Sequence, residues 1–207
     1  MTEDDERTAS PEELLRVIEE QSTATVRYLT ADPRLYYLPW GAAWLVGYTA
    51  FFLHYGLGGH SYAPISQMQA LAVLMAAHVP AMTIMGVGIA RANRLVRGKS
   101  RSRGIMYGFA WFAGFAAMYI ICGRVSSLLP QEESGLLWAG SLLAVVGILY
   151  MANGAMALNR PMFLLGIWVT AVNALGVLLG AGWHALLAAV LLGGGFIGAG
   201  LWLRRSP

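Results

Sequence analysis

The side chains with chemistry to offer in this chain are few, and most stand inside long apolar stretches. His78 lies two residues before Pro80 in QALAVLMAAHVPAMTIMGVGIA, the run from Gln69 to Ala90, which carries no formal charge. The proline ring removes the hydrogen bond that the Ala76 carbonyl would otherwise accept, so an imidazole and a freed carbonyl stand close together where both need partners. Such a pair suits a substrate, ion or gating site, and it equally suits a histidine bonded to a neighbouring helix that stabilises a kink. Thr83 in the same run and Asn173 further on complete a candidate intramembrane polar site of His78, Thr83 and Asn173. Hydrogen bonding between helices is the simpler use of the last two, and of Thr170. Met75, Met82 and Met85 share a helical face with His78. Thioether and imidazole together could hold copper or haem iron, but methionine at this spacing is more often adaptable packing, so no cofactor is assigned.

His54, His60 and His184 map to one membrane boundary and make a candidate zinc or copper set if they converge. Cys122 is the only cysteine, which excludes an internal disulfide and any multi-cysteine metal site. Its simplest reading is a small buried apolar residue.

The absences are as informative. Beyond Asp32 the only acidic residues are Glu132 and Glu133. Ion-coupled carriers commonly hold carboxylates at bilayer depth, which argues against a self-contained proton- or sodium-driven pump. No GxxxxGK[ST] occurs, so ATP use would come from a separate protein. No catalytic constellation is found, and the chain leans away from being an enzyme.

These residues are positioned by elements whose nature the composition dictates. Hydrophobic residues make up 57% and charged ones 12%, with mean hydropathy +0.56. The run from Gln69 to Ala90, as a helix, is about 33 Å long and covers a hydrocarbon core of about 30 Å. Arg91, Arg94, Arg97, Lys99, Arg101 and Arg103 follow it with no acid among them, which marks a cytoplasmic loop. From that anchor the expected spans are about 36–57, 69–90, 104–123, 135–152, 161–179 and 185–203. Arg27, Arg34, Arg160, Arg204 and Arg205 join the loop on the inner side, against Arg124 outside, so both termini are expected in the cytoplasm. The basic charge is therefore a topology signal and a contact for lipid head groups, and nucleic acid is not an expected partner.

The expected fold is all-α: a polytopic membrane bundle of six transmembrane helices preceded by a cytoplasmic amphipathic helix. Residues 1–9 read as a disordered tail. Ser10-Pro11-Glu12-Glu13 reads as a capping box opening a helix over 10–32, which Asp32-Pro33 stops. That helix suits the membrane surface or a separate cytoplasmic partner. The acidic MTEDDERTAS is no cleavable signal, so the first span should act as an uncleaved anchor. Gly104 and Gly108 show the GxxxG spacing that lets a neighbouring backbone approach. Pro33 to Trp40 and Pro161 to Trp168 share a spacing, a faint echo between the first and third hairpins.

The segment from Glu19-Glu20-Gln21 through Asp32-Pro33-Arg34-Leu35-Tyr36 to Trp40-Gly41-Ala42-Ala43-Trp44-Leu45-Val46-Gly47 resembles the start of small, uncharacterised six-span bacterial membrane proteins, loosely transporter-like. The resemblance implies a bacterial inner (plasma) membrane and carries over no catalytic residues. The leading expectation is a small-molecule transport or permease-type subunit without its own ATPase, in the lipid bilayer, as a homo-oligomer or with a separate cytoplasmic protein. A non-transporting scaffold, assembly or regulatory protein is the alternative, and a membrane metal or redox protein comes third.

Overall fold

The structure is a computed structural model that describes residues 33–95 and 99–202, together with Ser10 and Glu13. Its elements are helices: α1 (Pro33–Tyr55), α2 (Gln67–Leu95), α3 (Lys99–Ser126), α4 (Gln131–Met156) and α5 (Arg160–Leu179). A last rod is built from α6 (Ala181–Leu187), a π-helical segment (Ala188–Gly193) and α7 (Gly194–Trp202). The stretches Gln67–Arg91, Arg101–Ser126, Gln131–Met156, Arg160–Leu179 and Ala181–Leu201 are long and apolar enough to cross a membrane. These helices are compatible with an integral membrane protein. The remaining expected span, the first, is α1, whose 23 residues suffice in length, but Tyr36, Tyr37, Trp40, Trp44, Tyr48, His54 and Tyr55 dilute its apolarity and it is not among the five.

The amino-terminal expectations fall mostly outside the described residues: the tail over 1–9 and the body of the helix over 10–32. Its capping box does form, with the Ser10 amide donating to Glu13 Oε2 at 3.1 Å and the Glu13 amide to Ser10 Oγ at 3.2 Å. The basic loop expected over 91–103 is largely helical instead: α2 continues to Leu95 and α3 begins at Lys99. Arginine and lysine are good helix formers, so nothing in that stretch ends a helix at the membrane boundary.

Local chemistry explains the turns. α1 stops at Gly56, whose φ of 62° is the left-handed value that glycine adopts freely after a helix. Gly58 and Gly59 follow with φ of 66° and 78°, and the loop folds back so that the Tyr62 amide bonds the Leu53 carbonyl at 2.9 Å. Ser66 and Gln69 make the reciprocal capping pair that starts α2. Asn159 caps α5 by accepting from the Met162 amide at 3.1 Å, with Pro161 in the first turn.

The helices pack as a bent row in the order α2, α1, the α6–α7 rod, α5, α4, α3. Consecutive α2 and α3 thus end up at its two ends. Within the row small residues do the joining. A Cβ on Gly193 would meet the Leu45 amide at 2.6 Å, and one on Gly154 would meet the Phe163 amide at 2.5 Å. Gly104 and Gly108 instead face open space among the described residues, so the GxxxG spacing in α3 marks no helix contact. The core around Trp44, Tyr48, Leu143, Val169, Leu192 and Phe196 is flanked by Ala181, Ala185, Ala188 and Ala189. Large apolar side chains point outward, as on Phe109, Phe112 and Ile120 of α3 and Leu178 of α5. That distribution suits a surrounding of lipid, which does not drive large hydrophobes inward.

Candidate functional site

A cavity of about 460 Å³ lies at the end of the bundle where the α1–α2 loop, the start of α4 and the α5–α6 turn meet. Its floor is Tyr48 of α1 with His184 and Ala185 of α6, and its sides are α2 (Gln67, Leu71, Met75), α3 (Met118, Tyr119) and α4 (Gly135, Trp138, Ala139). A volume in this range suits a small organic ligand.

Two of the lining residues each hold a buried polar atom without a hydrogen-bond partner: the Tyr55 hydroxyl and Gln67 Oε1. They come from opposite sides of the α1–α2 loop, Tyr55 as the last residue of α1 and Gln67 as the first of α2. Both converge over Gly135. A Cβ there would meet the Tyr55 hydroxyl and would stand 2.7 Å from Gln67 Nε2, so only glycine leaves room for the pair.

Behind the floor runs a short polar chain. Asn173 Nδ2 donates to the Gly140 carbonyl at 2.8 Å, which fixes the amide orientation. Its Oδ1 then faces His184 Nε2 at 2.9 Å and can only accept, so Nε2 carries the proton. The other ring nitrogen, Nδ1, is left as an acceptor with no hydrogen bond among the described residues. The ring packs against Tyr48 edge-on, with centroids 6.1 Å apart, and its Cδ2 sits in the space that a Cβ on Gly176 would need.

The candidate polar site of His78, Thr83 and Asn173 is not gathered into one place. His78 is buried, but its Nδ1 bonds the Leu74 carbonyl of its own helix at 2.7 Å, not the Ala76 carbonyl beside Pro80. Its ring stands edge-on to Trp40, whose Nε1 is enclosed without a partner. α2 runs through Pro80 without a break. Thr83 faces outward and returns its hydroxyl to the Val79 carbonyl at 2.8 Å, and Thr170 does the same to Gly166 at 2.9 Å. Met75 and Met82 are exposed, so the methionine face does not close around His78.

Nor are His54, His60 and His184 brought together. His54 Nδ1 ties α1 to the Ile65 carbonyl at 2.7 Å, His60 is exposed in the loop, and His184 is held by Asn173. Among the described residues no group of three His, Cys, Asp or Glu is placed to hold a metal ion. Cys122 is buried.

Tyr55 and Gln67 were not expected as site residues. In the sequence Tyr55 falls within the first expected span, 36–57, and Gln67 between the first and second. The Ser66-x-x-Gln69 pattern, a capping box, was the available signal that Gln67 opens a helix and faces its neighbours. Comparison with family models, with curated proteins and with solved structures finds no match.

Proposed function

We propose that this chain is a six-span integral membrane protein, with α1 as the first span and both termini in the cytoplasm, that receives a small molecule in the Tyr55–Gln67–His184 cavity. It serves as the binding and conducting subunit of a transport system whose energy comes from a separate protein. The observation that carries the reading is the cavity itself, among whose lining residues Tyr55 and Gln67 each hold a buried polar atom without a protein partner. Buried polar atoms without partners are uncommon in stable folds, and a bound molecule is one way in which they are completed. The positive-inside charge pattern supports this orientation, in which the cavity opens toward the outer side. The missing P-loop and the missing intramembrane carboxylates support an external energy source.

The experiment is photolabelling in lipid nanodiscs with a small neutral aryl diazirine, followed by peptide mapping. Labelling of Tyr48, Met118 and Trp138 that saturates, and that is lost in Ala139→Leu, supports a binding cavity. Labelling confined to outward residues such as Phe112 and Ile120 overturns it. Tags at either end that react from outside intact cells overturn the orientation.

A further inference from the structure

The walls of the cavity narrow the chemistry of its occupant, given the reading of that cavity as a binding site. None of its lining residues is Asp, Glu, Lys or Arg. The one imidazole, His184, has its Nε2 proton engaged by Asn173. An anion in this space would give up its hydration with no countercharge to replace it, and for a cation the nearest carboxylate, Glu132, acts on Tyr55 from outside the lining.

A pure hydrocarbon is an equally poor match. It would leave the Tyr55 hydroxyl and Gln67 Oε1 enclosed and unsatisfied. The amide oxygen only accepts, whereas the phenol both donates and accepts. A head group that also does both, a hydroxyl or a carboxamide, can complete the two at once beside Gly135. The rest of the lining, including Phe51, Leu71, Leu74, Met118 and Trp138, offers carbon surface for an apolar body.

The route in points the same way. α2 and α3 flank the cavity yet share no extensive packing among the described residues. The side chains lining the gap between them, Met68 and Met75 on one side and Tyr119 on the other, are exposed. In a bilayer such a gap between two apolar spans meets lipid. We propose that the cavity takes an uncharged, lipid-soluble molecule with an apolar body and a hydroxyl or carboxamide head, seated with that head against Tyr55 and Gln67.

The test uses the full chain in phosphatidylcholine nanodiscs and four probes of matched length: 11-bromoundecanol, 11-bromoundecanoate at pH 9, (11-bromoundecyl)trimethylammonium and 1-bromoundecane. Bromine quenches tryptophan on contact, and the difference between the native chain and Trp138→Phe isolates the cavity signal. Native mass spectrometry of retained probe gives a second readout that does not depend on that variant. The alcohol is expected to saturate at a concentration at least tenfold below each of the others. The double variant Tyr55→Phe/Gln67→Leu is expected to bring the alcohol to the level of the bromoalkane, and glycerol, a head group without a body, is expected not to displace it. If either ion saturates as readily as the alcohol, the charge inference is overturned while the binding site stands. A bromoalkane as good as the alcohol overturns the role given to Tyr55 and Gln67. No saturable quenching and no retained probe of any kind overturns the binding site as well.

Discussion

His184 and Asn173 are 11 residues apart in sequence and 2.9 Å apart in space, joined across the Gly180 turn that separates α5 from α6. With the Asn173 amide also bonded to the Gly140 carbonyl, one side chain ties three helices together behind the cavity floor. Removing it leaves a buried imidazole N–H unsatisfied and strips the Gly140 carbonyl of its second bond, the first being to its own helix. Asn173→Leu is therefore expected to destabilise the folded state by about 1–2 kcal/mol, within the range of hydrogen bonds in membrane bundles. Thermal unfolding in detergent measures it. In a double-mutant cycle, Asn173→Leu and His184→Phe should be clearly non-additive, and independent effects would count against the pairing.

Glycine substitutions separate close helix contacts from free surface. A Cβ on Gly154 would press on the Phe163 backbone at 2.5 and 2.7 Å, and backbone cannot rotate aside. Gly154→Ala is expected to cost about 1–3 kcal/mol. Gly104→Ala and Gly108→Ala meet nothing within 4 Å and are expected to be neutral or mildly stabilising. The same unfolding assay compares all three, and equal losses would contradict the packing.

Cys122, at 1% exposure, gives a built-in reporter. A maleimide should leave the folded protein unlabelled and modify it stoichiometrically once denaturant opens the bundle. Labelling at the folded baseline would show that α3 does not sit on α4 as described.

Gly135→Ala should separate binding from folding. Its new methyl competes with the Tyr55 hydroxyl and the Gln67 amide, whose side chains can swing away at modest cost. Stability is expected to change by less than about 1 kcal/mol, while saturable retention of a neutral alcohol falls severalfold. Unchanged retention would remove Gly135 from the site.

His78→Leu gives the opposite comparison. Its Nδ1 bonds its own helix and its ring does not line the cavity. Loss of the imidazole is expected to leave retention of the alcohol unchanged, measured in the same nanodiscs.

Much of the helical scaffold was legible because apolar length and caps are local properties. The uncharged run after Gln69 and the Ser10–Glu13 box each depend on residues a few positions apart. The extent of α2 and α3 was not, because a basic run signals which side of a membrane it occupies and says little about whether its backbone stays helical. Candidate residues fared according to the same distinction. His78, Thr83 and Asn173 were selected by polarity within apolar sequence, but the order of helices in the row decides which of them meet. That order places α1 beside the last rod and separates α2 from α3, and it follows from glycine contacts between segments far apart in the chain. Tyr55 and Gln67 became neighbours only through the fold of the Gly56–Ser66 loop.

The pairing of α1 with the closing rod carries a consequence for biosynthesis. Among the described helices the first is covered along one side by the last, with Gly41 and Leu45 meeting Gly193 about 150 residues further on in sequence. Until the final rod is inserted, Trp44 and Tyr48 of a nascent chain stay against lipid or a chaperone. A message truncated ahead of Ala181 would thus yield an unfinished bundle, a ready target for membrane proteases.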